Sequence, residues 1–329
     1  MFNIALFGAG RIGQVHAVNI DAHPQSRLYS LVEPFDTFAN AFMAQYPEVK
    51  RQTVDEALND PAVDAIVICS ATDTHADYIE LAAKHQKAIF CEKPIDLDIA
   101  RVRDCLATVE RTQVPFLLGF NRRFDPQFRL LKEKMAGGAI GKAASVVITS
   151  RDPAAPPQQY IQSSGGLYRD MAIHDFDMAC YLLGESPCEI FAHGTCMVDE
   201  RIGDAGDIDT SVAVLSFPSG ATATIHNSRQ SGYGYDQRIE VHGEKGMLQV
   251  ANMTENLLTL SQAKGQHSAV PKAFFLERYQ EAYQQEWQHF VEVLEGKPAL
   301  CGAHDGLRAL EIADAALKSS RCHKQVTLS

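Results

Sequence analysis

The sequence predicts an α/β protein of two parts, an N-terminal Rossmann doubly wound parallel sheet and a C-terminal α+β domain with a large, mostly antiparallel sheet. In the first 120 residues, short apolar runs alternate with longer amphipathic stretches. Beyond them, strand-like segments follow one another through short turns. Strands alternating with helices are typical of parallel sheets, whereas consecutive strands joined by short turns are typical of antiparallel ones.

The first part, residues 1–120, contains five apolar runs that predict strands buried on both faces. These runs are FNIALFG, LYSLVE, AIVICS, AIFCE and PFLLGF. The stretches between them have helical periodicity. They are RIGQVHAVNIDAH, TFANAFMAQY, HADYIELAAKHQ and IARVRDCLATVERT.

The second part, residues 121–329, begins with a predicted helix, a strand, a proline-rich loop and a second helix. These are FDPQFRLLKEKMAGGAIG, KAASVVITS, RDPAAPPQQYIQSSGG and DMAIHDFDMACYLLG. Six more strands follow: CEIFAHGTCMV, TSVAVLSFPSG, ATATIHNSRQ, QRIEVHGEKG, MLQVANMT and NLLTLSQ. Turns such as PSG and GEKG predict antiparallel hairpins. Two helices, at about 274–295 and 305–320, close the chain.

Composition favours a small molecule as the partner. The net charge of -11 argues against nucleic acid, which needs a basic face. No apolar run reaches the roughly 18 residues of a membrane span, and the N-terminus lacks the pattern of an export signal. Eight scattered cysteines without a C-x-x-C motif predict thiols in a reducing compartment, most simply the cytoplasm.

A glycine fingerprint lies between the first predicted strand and helix. Gly8, Gly10 and Gly13 form G-x-G-x-x-G, in which the glycines allow a tight turn, approach of a pyrophosphate and close helix packing. The helix N-terminus then binds the diphosphate. A glycine turn that binds nothing is the alternative, but the strand–turn–helix context favours a dinucleotide. The predicted contacts of the turn are Gly8, Gly10, Arg11, Ile12 and Gly13.

Glu33 ends the second predicted strand, twenty residues beyond Gly13. A carboxylate there accepts hydrogen bonds from the ribose hydroxyls and repels a 2'-phosphate, so NAD is favoured over NADP. Arg11 leaves NADP open, because an arginine in the turn could reach the 2'-phosphate.

The segment FCEKPI places Glu92 and Lys93 at the carboxyl end of a predicted strand. Ligands bind at this edge of open parallel sheets. A solvated lysine beside a glutamate is the alternative.

Several motifs together carry a resemblance to a known family. They are GAGRIG, ATDTH, EKP, GFNRRFD, GGLYRDMAIHDFD, ERYQEAYQQEWQHF and DGLRALEIADAALKSS, and they run from residue 8 to about 320. On these motifs the chain resembles the Gfo/Idh/MocA oxidoreductases, most closely their inositol 2-dehydrogenase branch. The resemblance implies NAD-dependent oxidation of a secondary alcohol of a cyclic polyol, with inositol the first substrate to test.

The resemblance also implies roles for individual residues. Lys93 would contact both nicotinamide and substrate hydroxyl, and Pro94 would follow a cis bond. Further cofactor contacts would be Thr72, His75, Glu92 and Arg122. Further substrate contacts would be Asn121, Asp152 and Tyr235, with Tyr233 competing for the role of Tyr235.

Asp170 and His174 allow three interpretations. In the structural one, Asp170 flanks a helix N-terminus and His174 is a packed imidazole. In the second, His174 binds a metal with Asp175 and Asp177, although no His or Cys cluster accompanies them. In the third, the pair is catalytic, because residues four apart share one helix face.

The catalytic interpretation is favoured by the NAD fingerprint, Lys93 and the family resemblance. Alcohol oxidation requires removal of the hydroxyl proton, and histidine suits that transfer near neutral pH. We therefore expect His174 to be the general base. Lys93 would stabilise the alkoxide and pair electrostatically with Asp170, which orients His174 or binds a hydroxyl. No metal is predicted.

Two other functions remain open. One is a dehydrogenase of another sugar; few basic clusters in the second part disfavour a phosphorylated substrate. The other is a nonenzymatic NAD-binding sensor, which has no evident need for a base. Because family members commonly pair through the sheet face, a homotetramer is expected.

Overall fold

A computed structural model describes residues 1–328. Contacts divide the chain into two compact units, one of residues 1–124 with 282–307 and one of residues 125–281 with those from 308 onward. The sequence-based division at residue 120 placed 282–307 in the second domain, whereas compactness groups them with the first unit. The assignment of NAD binding to residues 1–120 and of substrate binding to residues 121–329 stays a prediction.

The first unit contains a six-stranded sheet in the order β3-β2-β1-β4-β5-β6. Its strands are β1 (Phe2–Phe7), β2 (Ser26–Val32), β3 (Lys50–Arg51), β4 (Ala65–Ile68), β5 (Ala88–Glu92) and β6 (Phe116–Gly119). All neighbouring strands are parallel, so the predicted doubly wound sheet is confirmed. The two-residue β3 was not predicted, because KR carries no apolar signal. All four residues of β4 are buried, as expected for a strand covered on both faces.

Five helices connect these strands. They are α1 (Arg11–Ala22), α2 (Asp36–Gln45), α3 (Val54–Asn59), α4 (His75–Lys84) and α5 (Ile99–Thr112). Short 3₁₀ turns cover Thr72–Thr74 and Asn121–Phe124. Local chemistry sets their ends: Thr53 and Glu56 form a capping box on α3, and Asp98 caps α5 by accepting from the Ala100 N–H.

The second unit contains a seven-stranded sheet in the order β12-β11-β7-β10-β9-β8-β15. Its strands are β7 (Ala143–Arg151), β8 (Glu189–Thr195), β9 (Thr210–Ser216), β10 (Thr222–Ser228), β11 (Asp236–Gly243), β12 (Gly246–Val250) and β15 (Val326–Thr327). A separate hairpin consists of β13 (Thr259–Gln262) and β14 (Gly265–Ser268). Only the β7–β10 pair among these described strands is parallel, so the mostly antiparallel prediction is confirmed.

The helices that follow along the chain complete the architecture. They are α6 (Pro126–Ala136), α7 (Gln158–Ser163), α8 (Ile173–Leu183), α9 (Glu200–Asp204), α10 (Phe275–Arg278), α11 (Gln280–Leu294) and α12 (Ala303–Cys322). Tyr168–Ala172 forms a π-helical turn directly before α8. Within residues 1–328, no helix is long and apolar enough to cross a membrane.

Candidate active site

The glycine turn has the geometry that the fingerprint requires. Gly8 has φ +99°, and a Cβ there would lie 2.7 Å from the Cys69 carbonyl oxygen. A Cβ on Gly13 would lie 2.1 Å from the Gly8 carbonyl oxygen, so only glycine lets α1 pack this closely. A Cβ on Gly10 would meet no described atom within 4 Å. The open side above Gly10, at the N-terminus of α1, fits a dinucleotide diphosphate.

Glu33 lies directly beyond β2, beside this turn. Its carboxylate accepts hydrogen bonds from the Ala9 N–H at 2.9 Å and the Phe35 N–H at 3.0 Å. These bonds fix the carboxylate at the position that binds the ribose in dinucleotide folds. In the same turn, Arg11 is exposed and Ile12 is half-buried.

The other predicted residues of the first unit follow the carboxyl ends of neighbouring strands. Thr72 follows β4, Lys93 follows β5, and Asn121 and Arg122 follow β6. Because β4, β5 and β6 are adjacent and parallel, these residues emerge at one sheet edge. The structure thus groups at one edge the residues that the family motifs identified.

His75 links two of these segments. Its imidazole is buried, with Nδ1 2.8 Å from the Pro94 carbonyl oxygen and Nε2 3.1 Å from that of Ser70. The Lys93–Pro94 bond is cis, as predicted. His75 therefore holds the segment that carries Lys93, and its predicted contact with the cofactor stays a prediction.

A buried cluster of His16, Glu92 and Glu286 lies beneath this edge. His16 Nε2 is 2.7 Å from Glu92 Oε1, and one ligand-type atom from each of the three residues lies within 4.8 Å of the others. Glu286 is fully buried, and neither of its oxygens has a hydrogen-bond partner within residues 1–328. Burial, and then the charge of Glu92, raise the pKa of Glu286 well above its usual range. Burial therefore favours the neutral form of the Glu286 carboxyl group.

The donor types of this cluster are also those that zinc uses. A neutral carboxylic acid needs no counter-ion, however, and Glu92 is already engaged with His16. The sequence-based expectation of no metal stays a prediction.

We expect Glu286→Gln to stabilise the protein increasingly as pH rises from 5 to 8. An unfolded glutamate loses its proton near pH 4.3, whereas the folded one keeps it, so wild-type stability falls with rising pH. This group contributes a slope of about 1.4 kcal/mol per pH unit until its folded pKa is reached. Glutamine removes that slope.

Melting temperatures of wild type and variant across this pH range check the expectation. Glu281→Gln, on the exposed face of the same helix, is the matched control and should leave the slope unchanged. A variant that is equally destabilised at every pH, or stoichiometric zinc in the wild type, would show that Glu286 is ionised.

In the second unit, three residues lie where strands of the seven-stranded sheet begin or end, at the same edge of the sheet. Asp152 and Tyr235 were predicted from the sequence, and Arg229 was not. Asp152 follows β7, and Arg229 follows β10. These strands are parallel, with Ser228 opposite Arg151, so both residues emerge at the same edge. Tyr235 directly precedes β11, whose first residue pairs with Arg151, and thus lies at this edge too.

Asp170 and His174 lie on consecutive helical turns, but not in one α-helix. The sequence predicted an α-helix from Asp170, whereas Asp170 belongs to the π-helical turn and His174 to the first turn of α8. π-turns occur frequently at functional sites. Gly165 and Gly166 precede the turn with φ +84° and +87°, left-handed conformations that favour glycine and turn the chain there.

The surroundings of His174 differ from those of a packed core histidine. From residue 171 to 180, every residue is buried except His174, which is half-buried. The Asp170 carboxylate accepts from the Tyr160 hydroxyl at 2.8 Å and from Arg229 Nη1 at 3.1 Å. Neither contact is a helix cap. Both observations depart from the purely structural interpretation.

The metal alternative also loses a candidate ligand. The Asp175 carboxylate is fully buried and accepts from Ser150 Oγ at 2.6 Å and Asn227 Nδ2 at 2.7 Å. These bonds give Asp175 a structural role in joining α8 to β7 and β10.

The two tyrosine candidates are placed differently. Tyr235 is buried against Tyr279, with ring centroids 6.1 Å apart. The Tyr233 hydroxyl contacts Arg151 Nη1 at 2.6 Å and the Asp236 carboxylate. Because the Tyr233 hydroxyl is bonded to the ion pair of Arg151 and Asp236, Tyr233 is a weaker candidate for substrate binding.

Sequence reasoning missed Arg229 and assigned no individual role to Tyr160. Although nearly half of Tyr160 is exposed, desolvation near its hydroxyl and then the Asp170 charge raise its pKa, so the hydroxyl stays a donor. One signal could have found Arg229: it is a basic residue near the end of a predicted strand, ATATIHNSRQ.

Comparisons with known proteins identify the class. Residues 2–120 match the "Oxidoreductase family, NAD-binding Rossmann fold" of Gfo/Idh/MocA proteins, and residues 128–249 match the "GFO/IDH/MocA C-terminal domain". The chain therefore belongs to the Gfo/Idh/MocA family of NAD-dependent oxidoreductases. The predicted family, fold and cofactor are confirmed.

Individual relatives carry more specific names. The inositol 2-dehydrogenase of Rhizobium meliloti is 46% identical over 98% of both chains. The myo-inositol 2-dehydrogenase of Thermotoga maritima is 43% identical over 99% of this chain and 98% of that one. The crystal structure of Lactobacillus casei scyllo-inositol dehydrogenase with NAD(H) and scyllo-inositol is 29% identical, covers 99% of both chains and has a TM-score of 0.92.

Proposed function

We propose that this protein oxidises a secondary hydroxyl of an inositol to the ketone with NAD. The observation that carries the proposal is the full-length similarity to inositol 2-dehydrogenases at 43% and 46% identity. The edge positions of Lys93 and Asp152 and the half-buried His174 support it, because a polyol site needs polar side chains at accessible edges.

Three residues carry the proton and charge chemistry. NAD, when bound, supplies the acceptor for the hydride that leaves the alcohol carbon. His174 removes the hydroxyl proton as the carbonyl bond forms, and Lys93 stabilises the negative charge that develops on the oxygen. Asp170 orients His174 or binds a neighbouring hydroxyl.

The remaining residues bind. The dinucleotide contacts are proposed as Gly8, Gly10, Arg11, Ile12, Gly13, Glu33, Thr72, His75, Glu92, Lys93 and Arg122. The polyol contacts are proposed as Lys93, Asn121, Asp152, Asp170, His174 and Tyr235. We propose residues 1–120 as the NAD-binding domain, to which Arg122 adds a contact, and residues 121–329 as the domain for substrate binding and oligomerisation, to which Lys93 adds a contact.

The test is formation of NADH on mixing the protein with NAD and a panel of myo-inositol, scyllo-inositol, glucose and a sugar phosphate. We expect absorbance of NADH to rise fastest with an inositol. A rise only with glucose or the sugar phosphate would replace inositol by another sugar. NAD binding without turnover of any member would favour the sensor.

We further propose a homotetramer that uses the outer face of the seven-stranded sheet. Phe191, Val212 and Val214 are 39–42% exposed, and Phe191 lies opposite Val214 in the β8–β9 register. Their strand neighbours Ala192 and Ala213 are fully buried on the other face. Contiguous exposed apolar side chains are typical of interfaces. A light-scattering mass equal to one chain would contradict this assembly.

We propose the cytoplasm as its location. All eight cysteines carry thiols rather than disulfides, as expected in a reducing compartment. Fractionation of the source cells tests this location.

A further inference from the structure

Arg229 is a buried cation that none of the roles above uses. Its side chain is 2% exposed, although arginine is almost never buried without partners. Nη1 lies 3.1 Å from Asp170 Oδ2, and Nη2 lies 3.7 Å from Asp207 Oδ2. Arg229 therefore lies between two carboxylates, one of which is the candidate catalytic Asp170.

The contacts of Asp170 come from two separate elements. Tyr160, on α7, donates to Oδ1, and Arg229, beyond β10, donates to Oδ2. A carboxylate held at both oxygens cannot rotate about its terminal torsion without losing a hydrogen bond. Its orientation is thus fixed from outside the helical segment that carries it.

Asp207 ties Arg229 to the entry of the same helical segment. Its Oδ1 accepts from the Leu167 N–H at 3.0 Å, just before the π-helical turn. A Cβ on Gly166 would lie 2.8 Å from that oxygen, so the glycine leaves space for the carboxylate. The guanidinium therefore contacts two carboxylates. One is that of Asp170, near the middle of the turn, and the other is that of Asp207, which binds the backbone where the turn begins.

Arginine suits this position better than lysine. Its planar fork presents separate N–H groups to two carboxylates, whereas an ammonium is a single point charge. The backbone N–H of Arg229 also donates to the Asp209 carbonyl at 2.8 Å, which fixes the start of the side chain.

We infer that Arg229 is a positioning residue for alcohol oxidation, which orients the Asp170 carboxylate and places a buried positive charge beside it. This inference rests on the proposed function of Asp170 and His174. Tyr160 and Arg229 bond to the Asp170 carboxylate, and Asp152 and Asp207 in turn act on Tyr160 and Arg229 respectively. Among these four residues, Arg229 carries the positive charge.

The experiment compares Arg229→Met and Arg229→Lys with wild type in inositol oxidation across pH. Loss of a nearby positive charge makes it easier to protonate a catalytic base, so the acid limb of the kcat profile should move to higher pH in Arg229→Met. We expect kcat at neutral pH to fall about 10- to 100-fold. Arg229→Lys keeps the charge but not the fork, so its acid limb should stay in place with a smaller loss of kcat.

Arg169→Met is the matched control. Arg169 precedes Asp170 in the same π-helical turn, but its Nε pairs with Asp314 at 2.5 Å on α12. Its removal deletes a neighbouring ion pair and should leave the acid limb in place. An acid limb that stays unchanged in Arg229→Met, or that moves equally in Arg169→Met, would overturn the inference.

A second measurement keeps this inference separate from the proposed function. In the protein without NAD and substrate, the ¹³C NMR titration of His174 should move to higher pH in Arg229→Met and remain in place in Arg229→Lys. Arg229→Gln, which keeps N–H donors but removes the charge, replaces Arg229→Met if that variant does not fold, and its acid limb and His174 titration should move in the same direction. If wild type oxidises no inositol, the proposed function fails, while an unmoved titration is what overturns the role of Arg229.

Discussion

His174→Ala should lower kcat for inositol oxidation by about 10²- to 10⁴-fold, the usual contribution of a general base. The dissociation constant of NAD should stay the same, because the glycine turn and Glu33 are intact. Since His174 is half-buried among buried neighbours, its truncation should leave the core of α8 packed. Steady-state kinetics with saturating NAD, together with calorimetric NAD titration, check both parts.

His242→Ala is the control for this variant, because His242 is an exposed histidine on β11 of the same unit. It should retain wild-type kcat. Normal turnover of His174→Ala with a saturating polyol would show that another group removes the proton.

Lys93→Met should lower kcat about 10²- to 10³-fold, while the NAD dissociation constant should rise far less, because the glycine turn and Glu33 remain to bind the cofactor. Methionine keeps most of the length of the side chain but removes the ammonium that stabilises charge on the reacting oxygen. Measuring kcat and the NAD dissociation constant separates a chemical role from a binding one.

The control is Lys84→Met, at an exposed lysine near the end of α4 in the same unit. It should behave as wild type. Unchanged kinetics of Lys93→Met would remove Lys93 from the mechanism, and a large loss of NAD affinity would assign it to cofactor binding instead.

Local signals in the sequence were enough for the glycine turn and for five of the six strands of the first unit. The roles of Gly8, Gly10 and Gly13 depend on a strand–turn–helix context that lies within thirteen residues, and the glycines have the backbone geometry that these roles require. The apolar runs likewise predicted the strands, because burial on both faces requires continuous apolar residues. The position of Lys93 followed from the end of one such run.

Other features depend on contacts between distant residues. Asp170 and Arg229 are 59 residues apart, and packing of β10 against the π-helical turn brings the second beside the first. Glu286 meets His16 only because α11 belongs to the first unit. A single sequence carries no periodic pattern for such pairs. The charged neighbours of Asp170 and Glu92 could therefore be identified only from the folded structure.

The π-helical turn shows a different limit of prediction from the sequence. The hydrophobic pattern of 170–183 is helical throughout and does not distinguish an α-turn from a π-turn. Asp170 accordingly bonds to Tyr160 and Arg229 rather than capping the helix, which propensity alone would have favoured.

The parallel β7–β10 pair has a consequence for how this protein could acquire another substrate. Asp152 and Arg229 each lie one residue beyond the last paired position of their strands. On the proposed role of Asp152, substitutions there would alter the chemistry presented to the substrate while the strand register stays intact. Because Arg229 is constrained by the carboxylates around it, we expect position 152 to change with substrate preference and Arg229 to be retained.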